Sequence, residues 1–170
     1  YLAEGWWTDD TLGRMVADGL SALGDVGFEV HSASRPWAGT FADVDRAARA
    51  VAGSLRARGV RRGDVVAFQL PNWAEAGIVF WASAYLGAVV VPIVHFYGAK
   101  EVAYILNATN PSVVVTPDRF GRLEYLPTYA SLLADRPDTT WFVVGDTPAD
   151  QLPAGAVAFA DALAADPVEE

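Results

Sequence analysis

The stretch EAGIVFWASAYLGAVVVPIVHFYGAK, Glu75 to Lys100, constrains the fold more than any other part of the chain. With His95 neutral, no residue between its two ends carries a formal charge. A membrane-spanning helix needs about 20 consecutive apolar residues, so length alone would admit a bilayer span. The residues inside the run argue against one. Gly87 stands where a helix would stop. Val89, Val90 and Val91 are β-branched and suit a strand. Pro92 lacks a backbone donor, and Gly98 opens the next turn. The run therefore divides into a helix from about Ala74 to Leu86, a buried strand AVVVPI and a loop HFYGAK. The helix is too short to cross a hydrocarbon core of about 30 Å.

The flanking sequence repeats this alternation. A first helix is expected over roughly Asp10 to Leu23, capped by Thr8 or Asp9. VGFEVHS alternates apolar and polar residues and reads as a short strand, with His31 structural, and RPWAGT reads as a turn. TFADVDRAARAVAGSLRARG is the clearest helix. Thr40 caps it with Asp43 three residues on, Val44, Ala48, Val51 and Leu55 form a core stripe, and Gly59 ends it. Its arginines read as a solvated face. VVAFQL, AVVVPI, SVVVT and TWFVVG read as strands, with helices near 74–86 and 99–107, a mixed helical region over 123–134, and one small strand and turn near Val157 to Leu163. Short β-rich runs joined by helices predict an α/β fold with a mostly parallel sheet flanked by helices. Trp6 and Trp7 are expected to staple the first helix to the core.

Composition narrows the function. The chain of 170 residues is 52% hydrophobic, enough for a real core, and its formal charge of −9 makes nucleic acid and anionic lipid poor partners. There is no cysteine, hence no disulfide framework and no thiolate metal site, which fits a reducing cytoplasm. Association at the periphery of membranes is left open, without a transmembrane segment. Two separated histidines, His31 and His95, suggest no metal cluster. No GxxxxGK[ST], GxGxxG, HExxH or GxSxG motif occurs.

The ordered landmarks TFADVDRAARAVAGSLRARGV, GDVVA, LPN, GAVVVP, EVAYIL and VVVT resemble the N-terminal region of the adenylate-forming (AMP-binding) superfamily. The resemblance is good over Thr40 to Thr116 and loose outside it. Val44 stands where leucine is usual. PIVHFYGAKEVAYIL looks most like fatty or alicyclic acyl-CoA synthetases. Such enzymes use ATP and Mg²⁺ to turn a carboxylate into an acyl-adenylate, which CoA converts to a thioester. The resemblance implies the N-terminal subdomain of that fold, with residues 1–145 as the α/β subdomain and 146–170 as a linker-like segment leading to the phosphate-loop half. The phosphate loop itself, [YF]TSG[ST]TGxPKG, and the catalytic lysine are not in this sequence, so the chain is expected to be part of a longer protein and inactive alone, with no catalytic residue of its own.

The same resemblance places Tyr97, Gly98, Arg119 and Arg122 beside the CoA nucleotide. Tyrosine can stack on adenine, glycine permits close approach, and arginine can grip a phosphate. His95 and Phe96 are candidates for the acyl pocket. The alternatives are a fatty acyl-AMP ligase that delivers to a carrier protein, and a stand-alone α/β interaction module. The partners implied are a carboxylic acid, CoA and the C-terminal remainder of the same protein; a homodimer is left open.

Overall fold

The computed structural model describes residues 1–169. Helix α1 (Leu12–Ala22) is capped by the Thr11 hydroxyl, which accepts from the Arg14 amide, so it starts later than Thr8 or Asp9 would place it. Strand β1 (Gly27–Val30) pairs antiparallel with β2 (Trp37–Thr40), in the register Gly27 to Thr40 and Val30 to Trp37. The WAGT stretch expected to be a turn is thus a strand. The Phe28 ring of this hairpin lies 5.6 Å from Trp37, 5.2 Å from Phe41 and 6.0 Å from Trp81, a contact set that only tertiary packing supplies.

Helix α2 (Phe41–Ala57) has the expected capping box. The Asp43 amide donates to Thr40 Oγ1 and the Thr40 amide donates to Asp43 Oδ2. The Thr40 amide, then the Arg46 guanidinium and the Thr40 hydroxyl, donate to the Asp43 carboxylate and hold it below its ordinary pKa. Gly59, at φ +94°, terminates the helix as expected.

Among the described residues, five strands then form one sheet: β3 (Val65–Phe68), β4 (Val89–Pro92), β5 (Val113–Pro117), β8 (Thr140–Val144) and β9 (Ala156–Ala158). Every pairing is parallel, and the order across the sheet is β4-β3-β5-β8-β9. Helix α3 (Ala74–Tyr85) joins β3 to β4, and α4 (Ala99–Thr109) joins β4 to β5. Between β5 and β8 lie a small hairpin, β6 (Arg119–Phe120) with β7 (Leu123–Glu124), and α5 (Leu126–Leu133). Helix α6 (Phe159–Leu163) follows β9.

Side chains alternate between two cores, as strand geometry requires. Val66, Phe68, Val113, Val115, Phe142 and Val144 pack with α2, α3 and α6 on one face. Ala67, Val114, Trp141 and Val143 pack with Val102 and Leu106 of α4 and with Tyr125 and Tyr129 on the other. Helices on both faces explain why β3, β5 and β8 read as continuous apolar runs.

Three expectations need correction. AVVVPI is not a fully buried strand: β4 is an edge strand paired only with β3 among the described residues, and Val89 is 50% exposed. The segment 146–170 is more than a linker. β9 extends the sheet, Phe159 and Ala162 are buried against it, and the Val168 amide donates to the Arg49 carbonyl at 3.0 Å. A side chain at Gly53 would meet the Asp166 carbonyl, so α2 and this returning segment pack backbone to backbone. Trp6 and Trp7 do not staple α1. Both are more than 60% exposed and pack on the Tyr1 ring, at 5.7 and 5.5 Å. Among the described residues, no helix is long and apolar enough to cross a membrane.

Candidate functional site at the C-terminal edge of the sheet

The strand order fixes where a ligand site is expected. Counted in chain order, the sheet runs 2-1-3-4-5, so the connections leave β3 and β5 in opposite directions. Doubly wound sheets bind ligands at such a switch point, outside the carboxyl ends of the strands. Here that crevice is bounded by the residues after Phe68, Pro92 and Pro117, so the 93–98 loop and the β6–β7 hairpin border it.

A row of rings crosses this edge. The Arg35 guanidinium lies 5.6 Å from the Trp73 ring, and Trp73 lies 5.8 Å from Phe120. Phe120 is 5.4 Å from His95, His95 is 5.2 Å from Phe96, and Phe96 is 5.9 Å from Tyr97. The row begins near the N-terminus of α3 and ends at the N-terminus of α4. The Phe120–His95 contact joins the two loops that carry the residues expected to form a site.

The 93–98 loop is held from below. Gln69, the first residue after β3, is 1% exposed. Its amide Nε2 donates to the carbonyls of Val94 at 2.9 Å and Tyr97 at 3.0 Å, with a longer contact to the His95 carbonyl at 3.4 Å. Its Oε1 accepts from the Tyr129 hydroxyl at 2.8 Å. The Tyr125 hydroxyl donates to the His95 carbonyl at 2.6 Å. Three carbonyls on one side require the NH₂ group there, and that leaves the amide oxygen for Tyr129. Burial pushes both tyrosines above their ordinary pKa, Tyr129 also through Tyr125, so both remain donors at neutral pH.

A second anchor sits after β5. Asp118 Oδ1 accepts from the Arg119 amide at 2.6 Å, and Oδ2 accepts from the Asp146 and Thr147 amides and the Thr147 hydroxyl at 2.8–3.0 Å. Burial by itself would raise this carboxyl. The Thr147 bonds, with those from Arg119 and Asp146, outweigh it and leave the pKa lowered. A Cβ at Gly145 would fall on the Asp118 carboxylate, so β8 must end in glycine for the ends of β5 and β8 to lock together. Arg35 adds a bridge, with Nε 2.7 Å from Glu75 Oε1 and Nη1 3.6 Å from Asp146 Oδ1.

The residues singled out from sequence divide accordingly. His95 is partly buried against Phe120, and Phe96 and Tyr97 are exposed at 65% and 41%. Gly98 caps α4 with φ −85°, a conformation any residue adopts, so its backbone does not demand glycine. Arg119 lies on β6 and Arg122 in the β6–β7 turn, where Gly121 at φ +59° permits the tight reversal. Both arginines are exposed, and among the described residues neither guanidinium is paired with a carboxylate. Sequence reasoning missed Gln69, Tyr125, Tyr129, Asp118 and Arg35. One signal was available: Gln69 is the lone amide in VVAFQL, a strand with no polar face to place it on. No cluster of three histidine or acidic side chains among the described residues is arranged to hold a metal.

Comparison with known proteins agrees with this architecture. The family model described as AMP-binding enzyme matches residues 33–167. A medium-chain fatty-acid–CoA ligase of Escherichia coli is 30% identical over 71% of this chain and 21% of its own length. A salicyl-AMP ligase/salicyl-S-ArCP synthetase of Mycobacterium tuberculosis is 28% identical over 87% of this chain and 26% of its own. The structure of an acetoacetyl-CoA synthetase from Streptomyces lividans superposes with a TM-score of 0.80 at 27% identity, covering 94% of this chain and 26% of the other. The chain thus spans about a fifth to a quarter of the relatives it matches. With a family match running from the β1–β2 hairpin to the turn after α6, the chain belongs to the AMP-binding enzyme family.

Proposed function

We propose that this chain is the N-terminal part of an ATP-dependent fatty acyl-CoA synthetase and forms one wall of its CoA approach. In that reaction the carboxylate attacks the α-phosphorus of ATP, with Mg²⁺ offsetting phosphate charge, to give acyl-adenylate and pyrophosphate. The CoA thiolate then attacks the acyl carbon and AMP leaves. The residues here would bind and orient rather than transfer protons. Tyr97 offers a ring to the adenine, and Arg119 and Arg122 offer exposed guanidinium groups to the nucleotide phosphates. His95 and Phe96 are proposed to shape the inner side of the same crevice toward the acyl group. The phosphate loop and catalytic lysine are not in this sequence, so the isolated chain is proposed to be inactive. Carboxylate-dependent pyrophosphate release from these 170 residues would contradict that.

The observation that carries the proposal is the Phe120–His95 contact. It sets the exposed arginine hairpin beside the exposed Phe96–Tyr97 loop at the sheet's switch point. The salicyl-AMP ligase, matched over more of this chain than the CoA ligases, favours a second reading in which the acyl group passes to a carrier protein. The test is to give the full-length enzyme a fatty acid, ATP, Mg²⁺ and CoA. Acyl-CoA as product supports the synthetase; acyl-AMP that accumulates despite CoA supports the ligase.

A further inference from the structure

Gln69 has no role in any reading above, yet its placement is unusual. It lies at the carboxyl end of β3, between β4 and β5, with its backbone N–H bonded to the Val115 carbonyl at 2.9 Å. The carbonyl just before it, of Phe68, accepts from the Ile93 amide at 2.7 Å. Its backbone is therefore tied to both neighbouring strand ends, and its side chain is sealed from water. A buried amide costs free energy unless its donors and acceptor are all used. Here all are used, and every donor bond ends on the 94–97 backbone. Tyr129, itself fully buried, orients the amide through Oε1. Tyr125 adds a separate bond to the loop from the start of α5.

This arrangement makes two loops one unit. The same short stretch that presents Phe96 and Tyr97 to solvent has three carbonyls, of Val94, His95 and Tyr97, held by buried side chains that follow β3 and precede α5. The α5 side of the clamp immediately follows the hairpin that carries Arg119 and Arg122, and the Tyr125 amide donates to the Asp118 carbonyl at 3.1 Å. Tyr125 thus bonds to both, to the 94–97 loop through its hydroxyl and to the residue before the hairpin through its backbone amide.

We propose that Gln69 is a positioning residue: with Tyr125 and Tyr129 it fixes the 94–97 backbone against the β6–β7 hairpin, so that both loops meet the acceptor substrate preorganised. The proposal rests on the reading of this edge as the acceptor's approach. Geometry held by buried hydrogen bonds lowers the ordering cost of binding, and a displacement of about 1 Å in a binding element can cost a large factor in rate. The clamped stretch also carries His95 and Phe96, so its loss is expected to raise the KM for fatty acid, to leave adenylate formation at saturating acid unchanged, and to weaken CoA in the second half-reaction.

The test uses the full-length enzyme with Gln69→Met, which keeps the volume and removes both kinds of hydrogen bond, and Tyr125→Phe, which removes one hydroxyl. Gln69→Met is expected to raise the KM for CoA about tenfold and Tyr125→Phe about threefold, with ATP–pyrophosphate exchange at saturating fatty acid within about twofold of wild type. Hydrogen exchange should speed up across residues 94–98 and stay unchanged across 2–9. An unchanged KM for CoA in a folded variant overturns the proposal. So does an equal fall in both half-reactions, which marks a merely structural role. Should Gln69→Met fail to fold, Tyr125→Phe decides alone. If the wild type makes acyl-AMP but no acyl-CoA, the CoA reading has failed separately. The same variants are then judged by exchange at 94–98 and by the KM for the carrier protein, and no change in either overturns the clamp.

Discussion

Two groups of aromatic rings stand exposed on this molecule, and they are built differently. Trp6 and Trp7 rest on Tyr1, in a segment whose backbone bonds, from the Gly5 amide to Leu2 and from the Trp6 amide to Tyr1, are local. Phe96 and Tyr97 are comparably open, but the backbone beneath them is bonded to Gln69 and Tyr125, side chains from two other elements. Exposure alone does not distinguish the groups. What distinguishes them is the buried polar structure committed to one and not the other, and such structure is costly unless fully satisfied.

That contrast can be broken by mutation. The largest stability effect is expected at Asp118, whose replacement by alanine strands the Asp146 and Thr147 amides and should cost about 2–3 kcal/mol by urea unfolding. The pH dependence carries a matching sign. The folded pKa of Asp118 lies below the ordinary value of 3.8, so its contribution is complete above that value and is lost as pH falls through the folded pKa. Asp118→Asn should flatten the stability–pH curve below about pH 4 and leave the slope near neutrality unchanged. Tyr129→Phe, which leaves Gln69 Oε1 without its donor, should cost about 1–2 kcal/mol. Smallest of all, Trp6→Ala with Trp7→Ala should change stability by no more than about 0.5 kcal/mol. A large loss there would show that the two aromatic groups are equally integral to the fold, and the contrast would fail.

Features set by local chemistry were legible in the sequence. The Thr40–Asp43 capping box, the Gly59 and Gly87 stops and the four β-branched runs each follow from residues a few positions apart. Strand order is not local. AVVVPI and SVVVT look alike, yet β4 lies at the edge and β5 in the centre, because the connection after β3 runs to one side of the sheet and that after β5 to the other. WAGT in β2 is too short to show a period, and becomes a strand only because GFEV offers it an edge; the small strand expected near Val157 is β9, but its place beside TWFVV is set by the fold. The two loops of the candidate site were found by resemblance, at His95 through Gly98 and at Arg119 and Arg122. Their supports were not, since Gln69, Tyr125 and Tyr129 lie up to 60 residues apart and meet only in the folded chain.

The account stands on one claim, that the carboxyl edge of this sheet faces CoA. Steady-state kinetics of the full-length enzyme carrying Arg122→Ala tests it most directly. Arg122 is exposed and holds no internal partner among the described residues, so its removal should leave folding unchanged. Loss of a charged hydrogen bond to the CoA phosphate should raise the KM for CoA about tenfold or more, with the KM values for ATP and fatty acid unmoved. An unchanged KM for CoA would remove Arg122 from the site and contradict the placement of CoA on this edge.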